Sequence, residues 1–227
     1  MKLKLLHLLL TTDKDIEGTP AQLRGFMGNQ FEKHIELHHH IASPEGEAKL
    51  KYDYPRIQYS INRNKAILLG IEENAISVLR NVVMNVKELL LGSNSYEIIE
   101  INAHYEETEF GILNSGKLIL YKFNSPWLAL NSENYKKFTV ATIKERRRLL
   151  KSILIGNILS MSKHLGYNVP DTIHVNIELS PIKVFYKDIP LVGFKGIFES
   201  NFLIPDYVGI GKAVSHGFGK VMKTNKS

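Results

Sequence analysis

Two patterns in this 227-residue chain predict an α+β fold built from two tandem domains. The first half sets out its apolar residues as strand, helix, hairpin, helix, strand. This β-α-β-β-α-β order is the ferredoxin-like plan, shared by the RNA-recognition fold. The second half reads as a degenerate copy of the same plan, with a glycine-rich segment where its second helix belongs. The expected division is residues 1–110 and 111–227.

The elements follow in chain order. Leu3, Leu5, Leu6 and Leu8–Leu10 form an apolar run broken by His7 and followed by Thr11-Thr12-Asp13, which is expected as a buried first strand rather than a secretory leader. Thr19-Pro20-Ala21-Gln22 opens a helix, with Thr19 as N-cap, Pro20 in the first helical position and Gln22 closing a capping box. Leu23, Met27 and Phe31 share one face of it. Gly25 in its interior costs about 1 kcal/mol against alanine, which points to a close backbone or ligand approach. Ile57, Tyr59 and Ile61 alternate with polar residues before a turn at Arg63-Asn64 and the run Ala66–Leu69, which together make a hairpin. Ile76, Leu79, Val83, Val86 and Leu90 recur at spacings of three and four, giving an amphipathic helix stopped by Gly92. Tyr96 to Tyr105 is a strand, and Glu106-Glu107-Thr108-Glu109 an acidic loop at the domain boundary.

In the second half, Lys117 to Phe123 is a strand and Thr142-Ile143-Lys144-Glu145 a second capping box. It starts a long helix reaching Gly166, burying Leu150, Leu154, Ile158, Met161 and Leu165 and directing Lys144, Arg147, Arg148 and Lys151 elsewhere. Ile173, Val175, Ile177 and Leu179 alternate as a strand, and a turn at Lys187-Asp188 leads into its partner.

Composition narrows the class. Hydrophobic residues make up 44% and charged residues 23% of the chain, as in ordinary globular proteins. Cysteine is absent, which excludes disulfides and thiolate metal sites and fits a reducing, cytoplasmic setting. No stretch of about 18 apolar residues occurs, so no membrane span is expected. The net charge of +6 is unevenly placed: residues 1–110 carry 12 Lys/Arg against 16 Asp/Glu, and residues 111–227 carry 17 against 7. A polyanion held mainly by the second half is the electrostatic reading, and solvated lysine the plain alternative.

Two segments carry candidate chemistry. Gly209-Ile210-Gly211-Lys212-Ala213-Val214-Ser215-His216-Gly217-Phe218-Gly219-Lys220 places four glycines and two lysines in twelve residues. It is not a Walker A loop, because Asp206 stands where that motif needs glycine and Ala213 follows Lys212. Nor is it a dinucleotide fingerprint, since Val214 replaces the third glycine. Glycine lets a main chain expose N–H groups to a phosphate, and Lys212, Ser215 and Lys220 are the candidate contacts. A tight structural turn is the competing reading. Arg146-Arg147-Arg148 and Lys151 form either a solvated helix face or a second phosphate grip.

The other segment holds His34, His38, His39 and His40. On a strand, His34, Glu36, His38 and His40 would share one face, a set able to bind zinc. Alternatively, two imidazoles would serve as general base and general acid in RNA cleavage, with the ribose 2′-hydroxyl as nucleophile. Surface or satisfied polar histidines are the third reading.

Three stretches resemble the CRISPR-associated endoribonucleases that cut precursor CRISPR RNA, in the repeat-associated mysterious protein superfamily. Leu23-Arg24-Gly25-Phe26 is similar to the first-helix signature of the type I-B branch. His38-His39-His40, followed by Tyr54-Pro55-Arg56-Ile57-Gln58-Tyr59, resembles its His-x-His element. Phe194 through Gly219 resembles the C-terminal glycine-rich signature, which non-catalytic relatives share. The resemblance implies RNA bound across two ferredoxin-like domains and cleavage without metal or other cofactor, to a 2′,3′-cyclic phosphate and a 5′-hydroxyl. It implies His38 and His40 as catalytic acid and base, and Arg24, Lys212, Ser215 and Lys220 in contact with RNA, with Arg146, Arg147 and Lys151 as further candidates. Lys49, Lys51 and Tyr52 lie downstream of the histidines with no spacing that fixes a third catalytic group. The implied partner is CRISPR repeat RNA, with interference-complex subunits and a second copy of the chain as further candidates. A non-catalytic RNA-binding subunit and a metal hydrolase using His34, Glu36, His38 and His40 are the alternatives.

Overall fold

The computed structural model describes residues 1–30, 54–113 and 116–225. They form two compact units, Lys2–Thr108 with Ser215–Gly217, and Met1 with Glu109–Val214 and Phe218–Ser227. Each is ferredoxin-like.

In the first unit, β1 (Lys2–Thr12), α1 (Pro20–Gln30), β2 (Ile57–Asn62), β3 (Lys65–Ile71), α2 (Glu72–Asn85), β4 (Glu88–Leu91) and β5 (Asn94–Glu109) follow one another. The sheet order is β2-β3-β1-β5-β4. β1 and β3 pair antiparallel with Leu8 opposite Leu68 and Leu10 opposite Ala66. Alternation places Leu6, Leu8 and Leu10 in one core with Leu23 and Met27 of α1 and Ile76, Leu79 and Val82 of α2. Each fully buried side chain of this size contributes roughly 1.5–3 kcal/mol. Gly70 lets α2 approach closely, because a Cβ there would lie 2.9 Å from Leu79 Cδ1. The capping box of α1 forms: the Thr19 N–H donates to Gln22 Oε1 at 2.9 Å and the Gln22 N–H to Thr19 Oγ1 at 3.2 Å.

Three expectations change here. The second helix ends at Asn85, not Gly92. Leu90 belongs to the four-residue strand β4 and is exposed, while Leu89 and Leu91 are buried. Gly92, at φ +64°, turns the β4–β5 hairpin instead of capping a helix. The acidic residues 106–109 continue β5 and are not a loop. Gly25 is exposed, and among the described residues nothing lies within 4 Å of a Cβ built on it, so no close backbone approach among them explains it. Phe31 lies outside the described residues.

The second unit holds β6 (Gly111–Ile112), β7 (Ile119–Phe123), α3 (Ser132–Val140), α4 (Ile143–His164), β8 (Val175–Tyr186), β9 (Ile189–Ser200), β10 (Phe202–Leu203) and β11 (Val221–Lys223). Its main sheet runs β11-β7-β9-β8. Taken as first to fourth strands of the plan, β7, β8, β9 and β11 stand in the order 4-1-3-2 that defines the fold. Between β9 and β11 the glycine-rich segment replaces the second helix; its regular part is one 3-10 turn, Val214–His216. α4 buries Leu150, Leu154, Ile158 and Met161, and Leu165 after it, as its period predicts. Its capping box, Thr142 with Glu145, is complete. Beneath it, Phe123 stacks on Trp127 at 5.4 Å between centroids, and Phe198 lies 5.1 Å from both Tyr121 and Phe123. No described helix is long and apolar enough to cross a membrane.

Candidate nucleic-acid interface

The glycine-rich segment is held by its main chain. Gly209 and Lys220 form an antiparallel bridge, the Ile210 N–H donates to the Gly219 carbonyl at 2.9 Å, and the Gly219 N–H donates to Pro126 at 2.9 Å. Gly211, Gly217 and Gly219 have φ of +92°, +85° and +67°, conformations that exact a strain cost from side-chain-bearing residues. Gly211 also passes against an aromatic wall: a Cβ there would sit 2.5 Å from Trp127 Nε1, and that indole N–H donates to Asn157 Oδ1 at 3.1 Å.

The predicted contact residues divide by environment. Lys212 is exposed, its ammonium donating to the Leu130 carbonyl at 3.2 Å, and desolvation lowers its pKa. Lys220 is 3% exposed, and burial pushes its ammonium down to about 8. Ser215 is buried, with Oγ 3.2 Å from His216 Nδ1.

Within the first unit, Arg24 on α1 places Nη1 3.0 Å from His216 Nε2. A guanidinium only donates, so Nε2 accepts and the imidazole carries its proton on Nδ1, facing Ser215 Oγ. Gly217 lies against the start of α1, where a Cβ would come 2.8 Å from Pro20 Cγ. Arg24 of the helix signature and His216, 192 positions apart in sequence, therefore meet within the first unit. His216 was not among the predicted contacts; its place among the glycines was the only sequence signal.

On α4 the arginine run splits. Arg146 Nε donates to the Phe138 carbonyl at 2.8 Å and Nη2 to the Thr139 carbonyl at 3.0 Å, with the guanidinium 4.8 Å from the Phe138 ring centroid. It closes the C-terminus of α3. Arg147 and Arg148 are exposed. Lys151 Nζ lies 3.4 Å from Asn176 Oδ1.

A further surface lies at the tip of the β8–β9 hairpin. Phe185 is 62% exposed with Lys183 Nζ 5.1 Å from its ring centroid, and Lys187 Nζ is 5.8 Å from the Tyr186 ring. Phe185, the exposed aromatic of the pair, stands beside lysines and suits the stacking of an unpaired base, whereas Tyr186 packs edge-on against Phe218. In the sequence this surface is carried by Lys183-Val184-Phe185-Tyr186-Lys187, two lysines flanking two aromatics beside the Lys187-Asp188 turn.

The histidines 34, 38, 39 and 40, with Glu36, Lys49, Lys51 and Tyr52, lie outside the described residues. Among the described residues no three His, Cys, Asp or Glu side chains converge as metal ligands.

Comparison with known proteins adds a family. A crystal structure of Cas6b is 34% identical, superposes with a TM-score of 0.87, and covers 99% of this chain and 100% of its own. A second, of the CRISPR RNA processing endoribonuclease Cas6b, is 32% identical with a TM-score of 0.76 and the same coverage. An uncharacterized protein from Methanocaldococcus jannaschii is 40% identical over 146 residues, 64% of this chain and 98% of the relative. The type IV Cas6 crRNA endonuclease Csf5, at 13% identity and a TM-score of 0.56, shares the fold. The Cas6b N-terminal domain matches residues 1–109 and the Cas6b C-terminal domain residues 111–224, and on that coverage the chain belongs to the Cas6b family.

Proposed function

We propose that this chain cuts CRISPR repeat RNA by attack of a ribose 2′-hydroxyl on the adjacent phosphate, without a metal ion. The coarser statement, an endoribonuclease that processes CRISPR RNA, is carried by one observation: Cas6b domains match both halves, and one of the matched structures is that of a CRISPR RNA processing endoribonuclease. In the finer reading, one of His38 and His40 takes the proton from O2′. O2′ then bonds to phosphorus, the P–O5′ bond breaks, and the other histidine protonates O5′. The products are a 2′,3′-cyclic phosphate and a 5′-hydroxyl. The nucleophile is already attached to the substrate, so the protein supplies proton transfer and alignment, and no metal-activated water is required.

Arg24, Lys212, Arg147 and Lys151 are the cations of this reading that hold phosphates, and Phe185 stacks a base. Ser215, Lys220 and Arg146 enter it through the shape they maintain: Ser215 through His216, Lys220 within the glycine segment, and Arg146 at the end of α3. A second copy of the chain would add grip on an unstructured repeat, and light scattering with and without RNA measures that.

The test uses end-labelled repeat RNA in chelator, beside a substrate deoxy at the nucleotide before the cut. Cleavage of the RNA and not of the deoxy substrate is expected, and the His38→Ala/His40→Ala variant should bind without cutting. Undiminished cleavage by that variant would sink the assignment. Tight binding with no cleavage would make the chain a non-catalytic RNA-binding subunit. Activity lost in chelator and restored by metal would favour the His34, Glu36, His38, His40 hydrolase.

A further inference from the structure

Two clefts open beside α4 in the second unit, and their linings separate them. The smaller, about 80 Å³, places Glu178 and Glu199 beside Arg147, a mixed charge that does not favour phosphate. The larger, about 460 Å³, lies between α4 and the start of β8, and no carboxylate is among the described residues that line it. Leu118, Ile155 and Ile173 supply its apolar walls, and Lys151, His174 and Asn176 its polar groups. Its volume falls in the range of small-ligand sites, roughly 300–1,000 Å³.

The polar side of this cleft is built rather than incidental. Asn201, 5% exposed, accepts from the His174 N–H at 2.8 Å and donates to the Thr172 carbonyl at 3.0 Å. That clamp fixes the chain entering β8 and leaves the His174 side chain at the surface. Asn176 accepts from Lys151 Nζ at 3.4 Å through Oδ1 and donates to Glu199 at 3.3 Å through Nδ2, which holds the ammonium at the edge of the cleft.

We infer that this cleft is a nucleotide subsite, taking one unstacked RNA base against Ile155 and Ile173, with its phosphate on Lys151 and its ring beside His174. The inference rests on the RNA reading above and adds a place and a chemical class to it. A base offers an apolar face to the isoleucines, and imidazole is among the side chains on which bases stack. The Lys151 ammonium at the edge, with Asn176 between it and Glu199, meets the phosphate.

The test follows the isoleucine methyl signals by NMR in the full chain while uridine or adenosine 5′-monophosphate is added, with inorganic phosphate as control. Shifts at Ile155 and Ile173 with either nucleotide and not with phosphate are expected. Equal shifts with phosphate alone would reduce the cleft to an anion site and overturn the inference. So would the absence of shifts at both residues. Lys151→Ala and the cleft-filling Ile155→Trp should each weaken repeat-RNA affinity, roughly fivefold or more, with circular dichroism confirming the fold. If both variants bind and cut RNA as the parent does, the inference fails while the endoribonuclease reading stands. If the parent neither binds nor cuts RNA, that reading fails, and the mononucleotide titration still decides the cleft.

Discussion

Two glycines predict opposite outcomes for the same substitution. Gly219, at φ +67°, is bonded through its N–H to Pro126 and through its carbonyl to Ile210, and an added Cβ would run into the Ile210 carbonyl oxygen. Neither backbone can yield without losing hydrogen bonds. Gly219→Ala should therefore cost about 3 kcal/mol, seen as a fall of roughly 10 °C in Tm. Gly25 sits exposed inside α1 with none of the described residues within 4 Å of an added Cβ, so Gly25→Ala should stabilise by about 0.5–1 kcal/mol. A destabilised Gly25→Ala, or a neutral Gly219→Ala, in thermal melts would contradict the geometry. Sequence alone presented the two as equally conspicuous. What distinguishes them is a dihedral angle and a neighbour 9 positions away, and neither is written in local spacing. The same limit applies to the site: the glycine segment was conspicuous, yet the burial of Ser215 and Lys220 and the Arg24–His216 contact depend on tertiary packing.

At the scale of elements, local rules worked where the determinants are local. Both capping boxes, at Thr19–Gln22 and Thr142–Glu145, form as their four-residue patterns require. Thr142→Ala should cost about 1 kcal/mol in chemical denaturation. Periodicity failed at Val86–Leu91 because a short apolar run satisfies both helical and strand spacing. Pairing with β5, Leu89 opposite Tyr96 and Leu91 opposite Asn94, decided for strand. The acidic end of β5 was unreadable for the converse reason: few apolar side chains mark it, although β1 lies beside β5 in the sheet. The arginine run gives a sharper test. Arg146 holds two carbonyls at the end of α3, whereas Arg147 is exposed. Arg146→Ala should lower stability by about 1–2 kcal/mol through its charged hydrogen bonds. Arg147→Ala should stay within about 0.5 kcal/mol while weakening RNA binding. Equal loss of stability in both would show that Arg146 is not a structural cap.

The whole molecule shows how far a repeated plan can be read. The ferredoxin-like order was legible in both halves, because most of their strands and helices keep their periods even where the helix end at Val86–Leu91 does not. The exception was the fourth connection of the second half, where an irregular chain fixed by glycine conformations takes the place of a helix. Charge was legible too, and it carries a prediction. If Arg24, Arg147, Lys151 and Lys212 each hold a phosphate, log affinity for single-stranded repeat RNA should fall against log salt with a slope of about 3. A slope near zero would remove the electrostatic basis of the interface.

Stability should also carry the signature of the buried lysine. Burial holds the Lys220 ammonium at about 8 in the folded chain, against about 10.4 unfolded. Below pH 8 both states are charged, and the cost of burying the charge is fully present. Between pH 8 and about 10 the folded state sheds its proton first, the unfolded chain binds more protons, and stability rises with pH. The rise is on the order of 3 kcal/mol. Above that window the buried tyrosines act in the opposite sense: burial raises Tyr54 and Tyr59, and raises Tyr121 to about 12. The unfolded tyrosines ionise first, and stability falls. The expected profile is a maximum near pH 10, and Lys220→Met should flatten the limb between pH 8 and 10. Urea titrations across that range provide the check. A parent protein without the rise, or a methionine variant that keeps it, would show that Lys220 does not bear the buried charge at neutral pH.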